Sequence, residues 1–226
     1  MKRFLSLIWF ISLAIAVSAQ SREATNDPDA TAFLKQVTAN FKKIPQVQSE
    51  FTYSVIDGKG KVVTTDKGVL YLKGNKYKVQ IGIEPNKKPK QEIISDGKSV
   101  WAFDRDANEV IISLPDTSSG SITPQKLFTN FYEKDFLYKM NGEKTVDHKT
   151  LVEIEMTPTD KTLTYHKVYL VFDKQTKLLQ QAKMLDKSGF TLSYDVVKTD
   201  TRSAITDSKL AFNKDSYPGV EILDFR

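Results

Sequence analysis

The sequence predicts an α+β fold, a curved antiparallel β-sheet that forms an unclosed half-barrel and is covered by a lid of short α-helices. Three observations predict it. Apolar residues recur at helical spacing once near the start, most of the chain after that alternates between apolar and polar residues, and a second helical pattern interrupts the alternation. Long open sheet edges invite aggregation, so we expect the sheet to curl and the helices to cover its mouth or concave face.

The first helix is predicted over residues 29–43. Asp27 and Pro28 have the order of an N-cap followed by a proline in the first helical turn. Pro45 ends the pattern, and from there the period changes to two. The apolar residues at helical spacing are Phe33, Leu34, Val37, Phe41 and Ile44.

About ten antiparallel strands are predicted from the alternation, joined by turns that contain Gly, Asn and Asp. The alternation breaks over residues 115–136, where an aromatic helix is predicted at 124–133. The predicted strands are 47–55, one ending near 72, 77–83, 93–94, 101–103, 110–114, 152–156, 165–172, 178–185 and 190–197, with a final candidate near 209–212.

Residues 1–19 are predicted to be a cleaved signal peptide, and residues 20–226 a single domain that is exported to the periplasm. Lys2 and Arg3 precede an apolar run that is short for a membrane span, and Val17 and Ala19 have the spacing that signal peptidase requires. An uncleaved N-terminal anchor is the alternative.

The charge of the chain gives little support to nucleic-acid binding. Removal of Lys2 and Arg3 lowers the formal net charge from +5 to +3, and the lysines are scattered among acidic residues. Lys87, Lys88 and Lys90 form the densest basic cluster. We interpret it as a solvated loop, with a docking patch for an acidic partner as the alternative.

Catalytic motifs are absent from the sequence, so an enzyme is the weakest interpretation. The chain has no cysteine, which excludes disulfides, thiolate metal sites, a cysteine nucleophile and a lipid-modified cysteine. His148 and His166 have no partner at the spacing typical of a zinc site. Residues 97–99 lack the earlier glycine of a phosphate-binding loop, and 104–115 lack the glycine and glutamate of a calcium loop.

Apolar and aromatic side chains occur on both faces of several predicted strands. In the segment 165–172, for example, tyrosines and a valine alternate with Val168, Leu170 and Phe172. Ordinary core packing explains most of this surplus. The aromatic helix at 124–133, flanked by loops that contain Ser and Gly, nevertheless suggests an apolar ligand groove under a hinged lid.

Three strand-and-turn segments resemble the outer-membrane lipoprotein carrier (LolA) family. They are residues 47–52 (VQSEFT), 68–73 (GVLYLK) and 95–103 (SDGKSVWAF), the last being close to a family pattern S-D-G-K-x-x-W-x-Y/F. The turn at 57–60 also resembles the family. The resemblance covers the order of elements over most of the chain, is sharpest across 47–104 and is loose after 140.

The resemblance implies an unclosed β-barrel whose apolar cavity shelters the acyl chains of lipid-modified proteins, with the two helices as lid and plug. It also implies that the protein moves this cargo from an inner-membrane release complex to an outer-membrane acceptor, without a cofactor or metal. We expect a monomer. The residues implied to bind acyl chains are Phe51, Tyr53, Leu70, Tyr77, Val79, Trp101 and Phe103 in the sheet and Leu127, Phe128 and Phe131 in the lid.

One departure from the family pattern concerns the lid. Gly74 and Asn75 follow Lys73, where many members carry Arg-Pro and the arginine bonds to the lid. That latch is therefore absent or supplied by other residues.

Two further interpretations of the function stay open at this point. One is a periplasmic lipoprotein sensor on the same fold, and the other is a binder of another lipid or a lipid-free interaction module.

Overall fold

A computed structural model describes residues 25–116 and 132–226 of the chain. Within these residues, helix α1, the four-residue helix α2 and two short 3-10 helices accompany one sheet of twelve strands. The helices are α1 (Pro28–Phe41), α2 (Tyr132–Asp135) and the 3-10 helices Asp207–Leu210 and Lys214–Ser216. The strands are β1 (Gln46–Ile56), β2 (Val62–Lys73), β3 (Lys76–Ile81), β4 (Gln91–Ser95), β5 (Val100–Asp104), β6 (Glu109–Ser113), β7 (Phe136–Val146), β8 (Lys149–Pro158), β9 (Tyr165–Asp173), β10 (Leu179–Asp186), β11 (Thr191–Asp200) and β12 (Glu221–Asp224).

The sheet is continuous and unclosed, as the sequence predicts. Its strand order is β12-β6-β5-β4-β3-β2-β1-β11-β10-β9-β8-β7, so β12 and β7 stand at its two ends. Two meanders, β1–β6 and β7–β11, are joined by the antiparallel pairing of β1 with β11. Only the short β12 departs from the predicted antiparallel pattern, because it pairs with β6 in parallel.

Helix α1 begins as its sequence predicts and is held against the end of the sheet. The Asp27 carboxylate caps the helix by accepting from the Asp29 amide at 2.8 Å, and it also accepts from the Met140 amide of β7 at 2.9 Å. The Asn26 side chain accepts from the Tyr138 amide at 2.8 Å, and the Asp27 amide donates to the Tyr138 carbonyl at 3.1 Å. These contacts satisfy backbone groups on the outer edge of β7 that would otherwise be free.

Two strand predictions in the second half of the chain are wrong. Residues 136–146, left without a strand, form the eleven-residue strand β7. Its composition hides it, because its second half is exposed and mostly polar and a bulge between Met140 and Gly142 breaks the alternation. The final strand candidate near 209–212 overlaps a 3-10 helix instead. The last strand is β12, whose four residues are too short for a period-two pattern to identify.

The C-terminal segment, residues 201–226, covers the face of β2–β6 that is turned away from α1. Trp101 of β5 stacks on Phe212 with ring centroids 5.5 Å apart, and Phe103 packs on Tyr217 at 4.9 Å. Lys73, just before the departure from the family pattern, donates to the Ile205 carbonyl at 3.2 Å and to the Asp207 carboxylate at 2.9 Å. That lysine is thereby bound to the C-terminal segment.

A buried carboxylate lies beneath this segment. Glu92 of β4 is 4% exposed, and it accepts hydrogen bonds from the Tyr217 hydroxyl and from the Gln80 side chain. Lys78 of β3 forms an ion pair with it at 3.1 Å. Burial and the neighbouring Glu92 carboxylate raise the pKa of Tyr217, so this hydroxyl stays protonated and donates. The C-terminal segment therefore supplies one of the polar partners of Glu92, and β3 supplies the others.

Two sequence predictions lie outside the described residues, namely the signal peptide at 1–19 and most of the helix at 124–133. Tyr132 and Glu133, the end of that predicted helix, fall in α2. Among the helices within the described ranges, none is long and apolar enough to cross a membrane.

We expect Tyr217→Phe to lower the free energy of unfolding by about 1–3 kcal/mol, because it leaves the buried Glu92 carboxylate without its hydroxyl donor. Urea denaturation followed by tryptophan fluorescence measures the change. Tyr71→Phe is the matched control, because the Tyr71 ring packs under the same segment with Lys209 3.9 Å from its centroid. Its cost should stay within about 0.5 kcal/mol. Equal costs for the two variants would contradict the role given to the Glu92 cluster.

Candidate functional site

Side-chain alternation gives the sheet two faces with different cover. We call the face in contact with α1 the inner face and the opposite one the outer face. Residues directly opposite each other on neighbouring strands share a face, so the strand register assigns every side chain. The inner face is the larger apolar surface, and its buried cluster combines α1 with strands from both meanders. Its buried sheet residues are Val47, Phe51, Leu72, Tyr77, Val79, Phe136, Tyr138, Val152, Ile154, Met156, Tyr165, Val168, Leu170, Phe172 and Ala182.

Five of the seven sheet residues expected to bind acyl chains lie on the inner face. Phe51, Tyr77 and Val79 belong to its buried cluster, and Tyr53 and Leu70 pack against that cluster while partly buried. They come from three adjacent strands, β1, β2 and β3, whose pairing puts Leu70 opposite Val79.

Trp101 and Phe103 lie on the outer face, apart from the other five. The register explains the difference, because Val79 is opposite Ile93 and Ile93 is opposite Ala102. Ala102 therefore points inward and its two neighbours point outward. There they form a separate cluster with the C-terminal segment, and neither side chain shares a surface with Phe51 or Val79.

Three lid residues, Leu127, Phe128 and Phe131, lie outside the described residues. The structure does describe how α1 covers the inner face at the β7–β9 end. Phe33 meets Phe172 of β9 edge to face at 6.0 Å, and the Thr38 hydroxyl is 3.0 Å from that of Tyr132 in α2. The plug role expected for α1 thus corresponds to direct packing on the inner face.

Inner-face residues of β10 and β11 escaped the sequence reasoning. Met184 and Tyr194 pack against the same cluster, and the Tyr194 ring lies 5.7 Å from Phe51 and 5.0 Å from Tyr53. The alternation of Leu192, Tyr194 and Val196 with polar residues predicts that these three side chains share one face of a strand. That this face is the inner one follows only from the long-range pairing of β11 with β1.

A glycine brings Phe51 close to β2. Phe51 is directly opposite Gly68, and a Cβ atom at Gly68 would overlap the Phe51 ring. The ring thus lies directly against the glycine backbone. A glycine inside a strand often marks such a site of close approach. This close approach lets Phe51 fill the inner face between β1 and β2.

An ion pair lies beside Tyr53 on the inner face. Asp66 of β2 is opposite Tyr53, and its carboxylate accepts from the Lys90 ammonium at 2.7 Å. Burial raises the pKa of Tyr194 to about 12. Burial first, and the negative charge of Asp66 second, raise the pKa of Tyr53. Both phenols therefore stay neutral at any physiological pH.

The lysine cluster of the β3–β4 loop is largely neutralised within the chain. Lys87 donates to Glu84 at 2.6 Å, and Lys90 donates to Asp66. Lys88 lies 5.0 Å from the centre of the Tyr217 ring. These contacts, with Lys87 and Lys88 exposed to solvent, favour the solvated-loop interpretation over a basic docking patch.

A second concave region lies on the outer face of the other meander. It is an open groove of about 620 Å³ between the β1–β2 turn and strands β8–β11. Its lining includes the apolar or aromatic Ile56, Tyr169 and Leu185 and the charged Glu153 and Lys183. The sheet separates this groove from the inner face. In the described ranges, no cluster of three His, Asp or Glu side chains could hold a metal ion.

Comparison with known proteins agrees with this geometry. The family model described as outer membrane lipoprotein carrier protein LolA matches residues 42–213. The chain belongs to the LolA family. A Coxiella burnetii outer-membrane lipoprotein carrier protein is 26% identical over 208 residues, covering 89% of this chain and 90% of that one. A Francisella tularensis protein of the same description is 24% identical, covering 81% and 91%.

A solved structure supports the fold alone. An uncharacterised conserved protein from Thermus thermophilus aligns with a TM-score of 0.59 at 14% identity, covering 87% of this chain and 99% of that one. The LolA half-barrel prediction is thus confirmed at the level of family and fold. The acyl-binding residues remain a prediction.

We expect Gly68→Ala to destabilise the protein by about 1–3 kcal/mol, because the new methyl group overlaps the Phe51 ring and lies 2.9 Å from the Gln80 carbonyl oxygen. Thermal and urea denaturation measure it. The double variant Gly68→Ala with Phe51→Leu should cost less than the sum of the two single changes, since the smaller side chain makes room for the methyl group. Strict additivity would show that Phe51 does not pack on Gly68.

Proposed function

We propose that the protein is a periplasmic carrier that binds the acyl chains of lipid-modified proteins on the inner face of its sheet and moves them from the inner to the outer membrane. The observation that carries the proposal is the continuous apolar inner face of an unclosed sheet in a chain of the LolA family. The Coxiella and Francisella relatives described as outer-membrane lipoprotein carriers support the same cargo.

The free energy of acyl transfer suits such a surface. Burial of each methylene is worth ~0.8 kcal/mol, so a long acyl chain gains on the order of 10 kcal/mol on leaving water. Phe51, Tyr53, Leu70, Tyr77 and Val79 supply the sheet side of the shelter in this proposal. Leu127, Phe128 and Phe131 supply its cover. Trp101 and Phe103 are left out, because they pack against the C-terminal segment on the other face.

Release is as important as binding for a carrier. The inner face is already packed with side chains from α1, so cargo exchanges one set of apolar contacts for another instead of filling a void. The net affinity is then lower than the gross gain from burial, which lets an acceptor remove the cargo. The proposal needs no nucleotide, metal or catalytic step. It includes export by the signal peptide at 1–19, monomeric action, and an inner-membrane donor and outer-membrane acceptor.

Native mass spectrometry tests acyl binding. The protein from Gln20 onward is mixed with a triacylated lipopeptide or with the same peptide without acyl groups. The proposal expects a one-to-one complex with the acylated form alone. Absence of a complex with either peptide would refute it.

A transfer assay separates a carrier from a sensor. Donor vesicles of phosphatidylethanolamine and phosphatidylglycerol hold a fluorescent lipopeptide, and acceptor vesicles of the same composition lack it. A carrier should accelerate transfer in proportion to its concentration. Stoichiometric binding without faster transfer would instead indicate the sensor function.

We expect Leu70→Asn to weaken binding of the acylated peptide by about tenfold, because a partly buried apolar group of the inner face is replaced by an amide. Val69→Asn is the matched control. It is the neighbouring residue on β2, is also partly buried, and faces the C-terminal segment on the outer face. Fluorescence titration of the folded variants measures both dissociation constants. Equal weakening by both, or by neither, would place the acyl chains elsewhere.

A further inference from the structure

Two tyrosine hydroxyls on the inner face have no hydrogen-bond partner among the described residues. Tyr53 of β1 and Tyr194 of β11 are directly opposite each other, with ring centroids 5.0 Å apart. Neither hydroxyl makes a hydrogen bond to any residue in the described ranges 25–116 and 132–226. Both side chains are only partly buried, so a molecule on the inner face could approach them.

Other tyrosines on this face are satisfied. The Tyr132 hydroxyl is 3.0 Å from the Thr38 hydroxyl, and the Tyr138 hydroxyl accepts from that of Thr31 at 3.4 Å. The Tyr77 hydroxyl interacts with the Ser95 side chain. The Tyr53 and Tyr194 hydroxyls differ from these: each lacks a partner among the described residues, and neither is fully buried, so both are open to a ligand.

The surroundings of these two residues are apolar on most sides and charged on one. Phe51 and Leu70 lie on one side, and Val55 opposite Leu192 forms the next inner-face pair of β1 and β11. Toward β2, Asp66 is opposite Tyr53 and forms an ion pair with Lys90. The two hydroxyls thus lie where an apolar surface meets an ion pair. A ligand with an apolar chain and a polar end matches this arrangement.

We propose that the hydroxyls of Tyr53 and Tyr194 bind the carbonyl oxygen of the ester or amide that joins an acyl chain to the rest of the ligand. This inference rests on the proposed function and adds an orientation to it. The acyl chain lies over Phe51 and Leu70, and the polar remainder of the ligand points toward the Asp66–Lys90 pair. A carbonyl oxygen has two lone pairs, so it can accept from both neutral phenols. A few convergent donors in an apolar site are the usual way that proteins fix ligand orientation.

The test compares carbonyl-containing and carbonyl-free ligands. One is a peptide with a diacylglyceryl cysteine, whose chains are ester-linked, and the other is its dialkyl ether analogue with the same chain lengths. Wild-type protein should bind the ester form about fivefold more tightly, which is the size expected from one net hydrogen bond. Tyr53→Phe and Tyr194→Phe should each reduce this ratio, and the double variant should bring it to one.

Tyr169→Phe is the control, because Tyr169 is a partly buried tyrosine in the groove of the outer face. Its ester-to-ether ratio should equal that of the wild type. Each ratio is measured within one folded variant, so a change in stability does not affect it. A wild-type ratio of one, or a ratio unchanged in the double variant, would overturn the inference while leaving acyl binding intact.

Phospholipids carry the same ester carbonyl, so a third ligand separates the two sources. Ester and ether forms of phosphatidylglycerol are titrated beside the peptides. A tyrosine-dependent preference for the ester peptide supports the inference for lipoprotein cargo. The same preference with phosphatidylglycerol alone, and no binding of either peptide, would overturn the proposed function and with it the assignment to lipoprotein cargo.

Discussion

The unclosed sheet imposes the constraint on which the rest of the molecule depends. Its twelve strands present two faces, and a sheet of this width cannot leave both exposed to water. Helix α1 packs on the inner face at the β7–β9 end, and residues 201–226 cover the outer face of β2–β6. The two covers lie on opposite faces and toward opposite ends of the sheet. The candidate site lies on the inner face of β1–β3, and its buried residues belong to the same apolar cluster as α1.

The two covers are attached by different chemistry. Helix α1 is joined to β7 by backbone and capping hydrogen bonds at Asn26 and Asp27, and the remainder of its contact is apolar packing. The outer cover has in addition the buried Glu92 with its ion pair to Lys78 and its bond to Tyr217. Detaching that cover would break the Tyr217–Glu92 hydrogen bond and expose the apolar side chains packed beneath it. Polar, directional contacts therefore help to hold the cover of the outer face. The cover of the inner face depends mainly on apolar contacts, which other apolar groups can replace.

The sequence could predict the fold class, α1 and the first meander, because Asp27-Pro28 and the alternation from Val47 onward are local signals. It could not predict on which face Trp101 lies. The two faces of an alternating strand are equivalent until its neighbours are known. Whether Val79 and Trp101 point to the same face of the sheet depends on the register of β3, β4 and β5. For the same reason the sequence could not place Tyr194 at the candidate site, since its contact with Tyr53 depends on the pairing of strands about 140 residues apart in sequence. Strand β7 was missed because the polar half of its sequence faces solvent on both sides.

An apolar surface by itself binds a hydrocarbon chain in any position along its length. Each methylene of the chain contributes the same small free energy, so sliding the chain by a few carbon atoms costs almost nothing. In the proposed site Tyr53 and Tyr194 change this, because their hydroxyls can donate to the carbonyl end of an acyl chain but not to its methylenes. Their contribution is small beside the gain from burying a whole chain, so it sets the position and direction of the cargo more than the affinity. This separation of orientation from affinity suits a carrier. The cargo is held in one direction, so an acceptor can withdraw it by its polar end, and the binding free energy stays moderate.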